Sequence, residues 1–184
     1  MRAACGDRIE IRLVTGGLRA GETTPMDERS RAYVRHHWEE VAAQTGQPFD
    51  FDFFAREDFV YDTEPACRAA VAMRCLLPGA TLDHLHALQH AFYDENRDVT
   101  REDVLADVAA AFVPREDFLA VWRAPEIIEA TRADFALTQR LGIGGFPTVL
   151  LQDGNSAEPL TAGWQPFDAL EPLLTAWLTG RRGQ

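Results

Sequence analysis

Cysteine is scarce in this sequence: Cys5, Cys67 and Cys75 are the only three. They are too few and too scattered for a disulfide framework or a structural zinc site. Cys67 and Cys75 fall in "EPACRAAVAMRCLL", a helix-forming stretch in which a rise of ~1.5 Å per residue separates them by about 12 Å. A disulfide needs Cα atoms closer than about 7 Å, so these two cannot pair. With Val71 between them they are expected to share one face and to be buried as small apolar residues. Unpaired thiols fit a reducing compartment. Basic charge is also short, 18 residues against 29 acidic ones for a net charge of -11, which leaves no footprint for a nucleic-acid backbone. No apolar run approaches the roughly 20 residues that span a bilayer. The start, "MRAACGDRIEIRLV", has no apolar core followed by a cleavage site, so no secretory signal is expected and the chain reads as cytoplasmic.

What is present reads as an ordinary globular protein. Hydrophobic residues make up 46% and charged residues 26% of the 184, enough chain for one domain or for a small domain carrying an insertion. "IEIRLV", Ile9 to Val14, alternates apolar and charged residues and predicts a strand, with a turn at Thr15-Gly16-Gly17. From Thr24 the pattern is helical. Thr24 as N-cap, Pro25 at the first position and Asp27 at the third predict a helix running to about Gln44, before Gly46. Further helices are expected from Asp62 or Thr63 to Leu77, Thr81 to about Glu95, Thr100 to Phe112, Pro114 to Trp122, and Pro125 to Leu141. For the last, Gly142 suits the left-handed position past the end and Ile143 the apolar contact behind it. Thr148 to Gln152 then reads as a strand, Asp153-Gly154-Asn155 as a turn, Leu160 to Ala162 as a second strand, and Pro166 to Leu178 as a final helix with Leu170, Leu173, Leu174 and Trp177 on one face. A strand at one end and a hairpin at the other imply a shared sheet interrupted by a helical block, an α/β architecture.

The stretch "GGFPTVLL", residues 144–151, puts a proline directly before a β-branched, aliphatic run. Proline has no N–H for a ladder and belongs at a strand's first residue, at an edge or at a bulge; an X-Pro bond is also the one that takes the cis form at modest cost. With "VTGGLRAGE", "RHHWEEVAAQTGQPF" and "DTEPACRAAV", the sequence resembles the DsbA branch of thioredoxin-like proteins, in particular the cytoplasmic, FrnE-related proteins described as protein-disulfide isomerases. The resemblance covers nearly the whole chain. It implies a thioredoxin-like fold with a helical insertion, its core formed by 1–23 and 142–184 and the insertion by 24–141. It also implies that Pro147 is a cis proline beside the active-site sulfurs. Phe146 would then offer its backbone to an extended substrate, flanked by Gly145 and by Thr148 at the start of the strand.

That family works through a Cys-x-x-Cys at the start of its first helix, where the helix N-terminus lowers the attacking thiol's pKa. These 184 residues hold none. "MRAACG" reads as the last turn of that helix, so Cys5 lies away from the site and no catalytic residue is assigned. The expectation is a chain truncated at its N-terminus, with the first strand and the dithiol upstream of Met1, or else a gap repaired by pairing with a second copy as a homodimer. His36, His37 and Trp38 are candidates to line a substrate groove. His86, His90 and Asp94 have a spacing that could place metal ligands on one face, but the stripe of Leu82, Leu85, Leu88 and Phe92 accounts for that helix without metal, and none is expected. Gly16 and Gly17 read as a tight turn, because no lysine accompanies them to suggest a phosphate site. Three functions remain open. The first is a thiol-disulfide oxidoreductase acting on protein thiols or glutathione, inactive here for want of its dithiol. The second is a glutathione-dependent relative of kappa-class transferases or 2-hydroxychromene-2-carboxylate isomerases. The third is a non-enzymatic module that binds peptides by strand addition.

Overall fold

The computed structural model describes residues 8–180. They fall into two compact units, Leu13–Phe135 and a second made of 136–180 with 8–12.

The first unit is helical. Helix α1 (Glu28–Thr45) starts where the Asp27 carboxylate accepts from the Ser30 N–H at 2.8 Å and stops at Gly46, whose φ of 68° suits a left-handed cap. The cap is therefore Asp27 rather than Thr24, whose hydroxyl is taken up by Glu22 at 2.9 Å. Helices α2 (Glu64–Leu76), α3 (Thr81–Tyr93), α4 (Glu102–Ala109), α5 (Arg115–Trp122) and α6 (Pro125–Arg140) follow.

Aromatic rings form the centre of this unit. "FDFDFFAREDFVY" delivers Phe49, Phe51, Phe53, Phe54, Phe59 and Tyr61 from a segment whose middle, Phe51–Ala55, is a short 3-10 turn opened by the Asp50 carboxylate accepting from the Asp52 N–H. Trp38 of α1 stacks on Phe53 at 4.9 Å, meets Phe54, Phe92 and Tyr93 edge-on at 4.9, 5.7 and 5.0 Å and also touches Phe49 and Phe51, while Phe59 and Tyr61 pack on Phe53 and Phe92. Trp38 is only 4% exposed. It is a core residue and does not line a groove, because a ring this large is held wherever it removes most apolar area from water. On α3 the buried face is Thr81, His84, Leu88, Ala91 and Phe92, while Leu82 and Leu85 are only half-buried, so the stripe is rotated from the one expected. Cys67 is half-buried and Cys75 exposed, which corrects the shared buried face. Ala69 to Met73 take that place on α2.

No strand forms at Ile9–Val14 among the described residues. A strand needs a ladder partner, and the end of this segment bonds to side chains instead. The Leu13 carbonyl accepts from Arg74, and the Thr15 N–H and hydroxyl donate to Asp134 at 3.0 and 3.3 Å. Asp134, 3% exposed on α6, also receives both terminal nitrogens of Arg74 at 2.8 and 3.2 Å. Two residues on, Gly17 turns with φ 59° against the Phe135 ring, where an added Cβ would lie 2.7 Å from the ring carbons. Residues 13–23 are thus tied to the helices, a link completed by the Arg19 N–H donating to the Thr63 hydroxyl at 3.0 Å.

In the second unit, α6 ends in a Schellman turn: the Gly142 N–H donates to the Gln139 carbonyl and the Ile143 N–H to the Thr138 carbonyl, both at 3.0 Å. Strands β1 (Thr148–Asp153) and β2 (Ser156–Ala162) pair antiparallel around Gly154, whose φ of 55° fits the first central position of a two-residue hairpin turn. β2 bulges at Leu160, between the pairs Val149–Thr161 and Leu150–Pro159, so that Pro159 sits beside the bulge. Helix α7 (Phe167–Gly180) packs on β2 through Leu170 and Leu174, with Leu160 buried beneath; Leu173 is exposed, contrary to the expected face.

Two substitutions test this packing by urea denaturation. Trp38→Ala should cost ~3–5 kcal/mol, the range for emptying a large aromatic site. Gly17→Ala should cost ~1–3 kcal/mol through overpacking against Phe135 together with its left-handed backbone, whereas Gly46→Ala, which meets no atom within 4 Å, should cost ~1 kcal/mol or less.

Candidate functional site

The loop from Gly142 to Pro147 joins the end of α6 to β1. Its position is fixed from both sides: the Schellman turn stops the helix, and the Gly163 N–H donates to the Pro147 carbonyl at 2.8 Å, extending the hairpin ladder one residue into the loop. Within it the Thr148 hydroxyl donates to the Gly145 carbonyl at 2.8 Å, holding the turn closed around Phe146 and Pro147. The Phe146–Pro147 peptide bond is cis. Gly145, Phe146, Pro147 and Thr148 are consecutive and share this turn; the first three are exposed, and Thr148 is half-buried. Phe146 shows 45% of its surface to solvent.

Beside the loop runs an open depression of roughly 550 Å³, lined by Leu141, Ile143, Phe146, Leu150 and Pro159 with glycines and alanines between them. None of its lining residues is charged.

The other candidate residues belong to the helical unit. His36 and His37 are exposed on α1, each 3.5 Å from the Glu40 carboxylate, while Trp38 turns into the core. His90 lies 3.3 Å from Asp94 and His86 is exposed; among the described residues no three His, Cys, Asp or Glu side chains are grouped to hold a metal ion. Burial, the leading influence, pushes the Cys67 thiol up to about 11 even though the Gly17 N–H and the Thr15 hydroxyl pull the other way. Such a thiol is protonated near neutral pH and is a poor nucleophile. Cys5 lies outside the described residues.

The sequence reading missed the Asp134, Arg74 and Thr15 cluster. Its one signal was that α6 buries Ile127, Thr131, Asp134 and Thr138 at helical spacing, a stripe with a carboxylate in it.

A family model for the DSBA-like thioredoxin domain matches residues 9–175. The chain belongs to the DsbA-like thioredoxin family. Its fold is accordingly the thioredoxin-like fold of DsbA proteins, α/β in class and rich in helix. A candidate protein disulfide isomerase from Nitrosomonas europaea is 35% identical and superposes with a TM-score of 0.84 over 89% of this chain and 80% of its own. The cytosolic disulfide reductase DsbM from Pseudomonas aeruginosa is 31% identical, with a TM-score of 0.78 over 95% and 88%; a structure of DsbM with GSH aligns at 32% identity and 0.74 over the same shares. No curated protein matches the chain. These relatives place the DsbA-family chain among thiol-disulfide oxidoreductases. Among its described residues no helix is long and apolar enough to cross a membrane.

The two helical thiols should differ in reactivity. In a Cys5→Ser background at pH 7.5, a maleimide or iodoacetamide pulse followed by mass spectrometry should label Cys75 at least tenfold faster than Cys67. Urea should bring Cys67 up to the rate of Cys75.

Proposed function

We propose that this chain takes part in thiol-disulfide exchange by holding an extended, thiol- or disulfide-bearing peptide along the Phe146–Pro147 loop, and that these 184 residues do not themselves turn over dithiol. The observation that carries the reading is the exposed loop leading directly into β1. Phe146 stands half out of the surface, and β1 is paired on one side only among the described residues. An extended chain can add to such an edge through main-chain hydrogen bonds, with alternate side chains supplying selectivity.

The second part of the proposal follows from sulfur chemistry. Exchange needs a thiolate to attack one sulfur of the substrate disulfide and a second thiol to displace the substrate from the mixed disulfide. Cys67 is held in its thiol form, and it stands eight residues along one helix from Cys75, about 12 Å, beyond the reach of a disulfide. Neither can serve as the other's resolving partner. DsbM aligned with GSH supports a second reading in which glutathione is the thiol compound held at the loop. The uncharged depression beside Phe146 favours the peptide, since it offers no cation to glutathione's carboxylates.

Insulin reduction by this chain with dithiothreitol should run at the uncatalysed rate, and catalysed turnover would overturn the second part of the proposal. Calorimetric titration with an extended cystine-containing peptide should give binding that Pro147→Ala weakens at least tenfold, with the thermal midpoint held within a few degrees. Binding untouched by that change would overturn the first part. Glutathione at millimolar concentration should give little heat, and saturable heat lost in Pro147→Ala would transfer the site to glutathione.

A further inference from the structure

His84 stands on the buried face of α3, where the other buried positions are Thr81, Leu88, Ala91 and Phe92. Its side chain has no exposed surface, and neither Nδ1 nor Nε2 has a hydrogen-bond partner. The ring meets Phe112 edge-on at 5.6 Å and lies 6.1 Å from Phe118, itself fully buried on α5. A neutral imidazole brings one donor and one acceptor into this corner and satisfies neither, so leucine or phenylalanine would fill it at less cost. We propose that His84 is an acid-sensitive latch of the helical unit: on taking up a proton its ring leaves the apolar corner between α3, α5 and the turn around Phe112, and that corner opens.

The surroundings leave the proton no counter-charge. On α3 itself Asp83, His86 and His90 are exposed. On α2, Arg68 pairs with Glu64 and Arg74 with Asp134, while Cys67 and Cys75 are the other titratable groups. On α4, Glu102 pairs with Arg123, Asp103 with Arg101 and Asp107 with Arg115 of α5, whose Glu116 and Asp117 are exposed. None of these acts on the ring, whose titration is displaced by burial alone, from 6.5 down to about 4. A folded-state value below the unfolded one means that the closed corner is at full stability above pH 6.5 and loses stability as pH falls from 6.5 toward 4. A displacement of that size corresponds to a roughly 300-fold fall in the closed-to-open ratio well below pH 4, of which about 150-fold is reached at pH 4.

Two measurements on the full chain test the latch. In the first, the ring resonances of His84 are followed by NMR from pH 8 to 3.5. A midpoint near 4, accompanied by broadening or shifts of the Phe112 and Phe118 signals, is expected, and a midpoint near 6.5 with those signals unmoved would overturn the proposal. In the second, urea unfolding is compared for the wild type and His84→Leu between pH 7.5 and 4. The wild type should lose up to about 150-fold more in its folding equilibrium constant than the variant does, and parallel curves would refute it. The NMR titration decides alone if His84→Leu fails to fold, because it needs only the wild-type chain.

Discussion

The helical unit depends on one carboxylate. Asp134 is almost wholly removed from water, and a lone carboxylate in that position would cost several kcal/mol in lost hydration. It is retained because four donors converge on it: the two-pronged guanidinium of Arg74, and the amide and hydroxyl of Thr15. Three segments distant in sequence are thereby fixed together, since Arg74 belongs to α2, Asp134 to α6 and Thr15 to the stretch that precedes α1. Replacing such a pair with apolar residues of the same shape often costs nothing, whereas losing one member costs much. Its effect is on placement: the chain entering the unit is tied to α2 and α6 in the register seen here. That register puts Gly17 beneath Phe135 and brings the Thr15 hydroxyl and the Gly17 amide to the sulfur of Cys67.

The features legible in the sequence were those made by neighbouring residues. The stop at Gly46, the Schellman turn at Gly142, the hairpin around Gly154 and most helix limits follow from caps and turn chemistry acting within a few positions. The proline loop was legible as well, because a proline ahead of "TVLL" has few places to go and the surrounding segments resemble one family. What failed was set by partners far along the chain. Alternation at Ile9–Val14 described a strand, but a ladder is a property of two strands, and the segment found Asp134 and Arg74 instead. Trp38 next to two histidines suggests a surface; four rings from residues 49–54 together with Phe92 and Tyr93 make it a core. His84 was passed over because the expected stripe on α3 was rotated by part of a turn.

The candidate site contrasts with this in its construction. The helical unit is held by buried rings and a saturated carboxylate, while the loop at Phe146 is held by backbone bonds at its two ends and one threonine hydroxyl, with most of its surface in water. Few apolar contacts and a well-defined backbone suit a surface that meets another chain through its main-chain groups, where side-chain identity matters less than the direction of N–H and C=O. Membership of the DsbA-like family gives the loop its chemical setting, and burial holds the Cys67 thiol away from the thiolate form that exchange requires.

Pro159 makes the hairpin asymmetric. A two-stranded ribbon has two outer margins, and each would template further strands if both carried a full row of donors and acceptors. In β2 the proline removes a donor beside the bulge, and the bulge bends the strand there. In β1 the corresponding row, Thr148 to Asp153, has no proline after its start. The strand addition proposed for the loop would therefore find an uninterrupted row of donors and acceptors along β1 and not along β2.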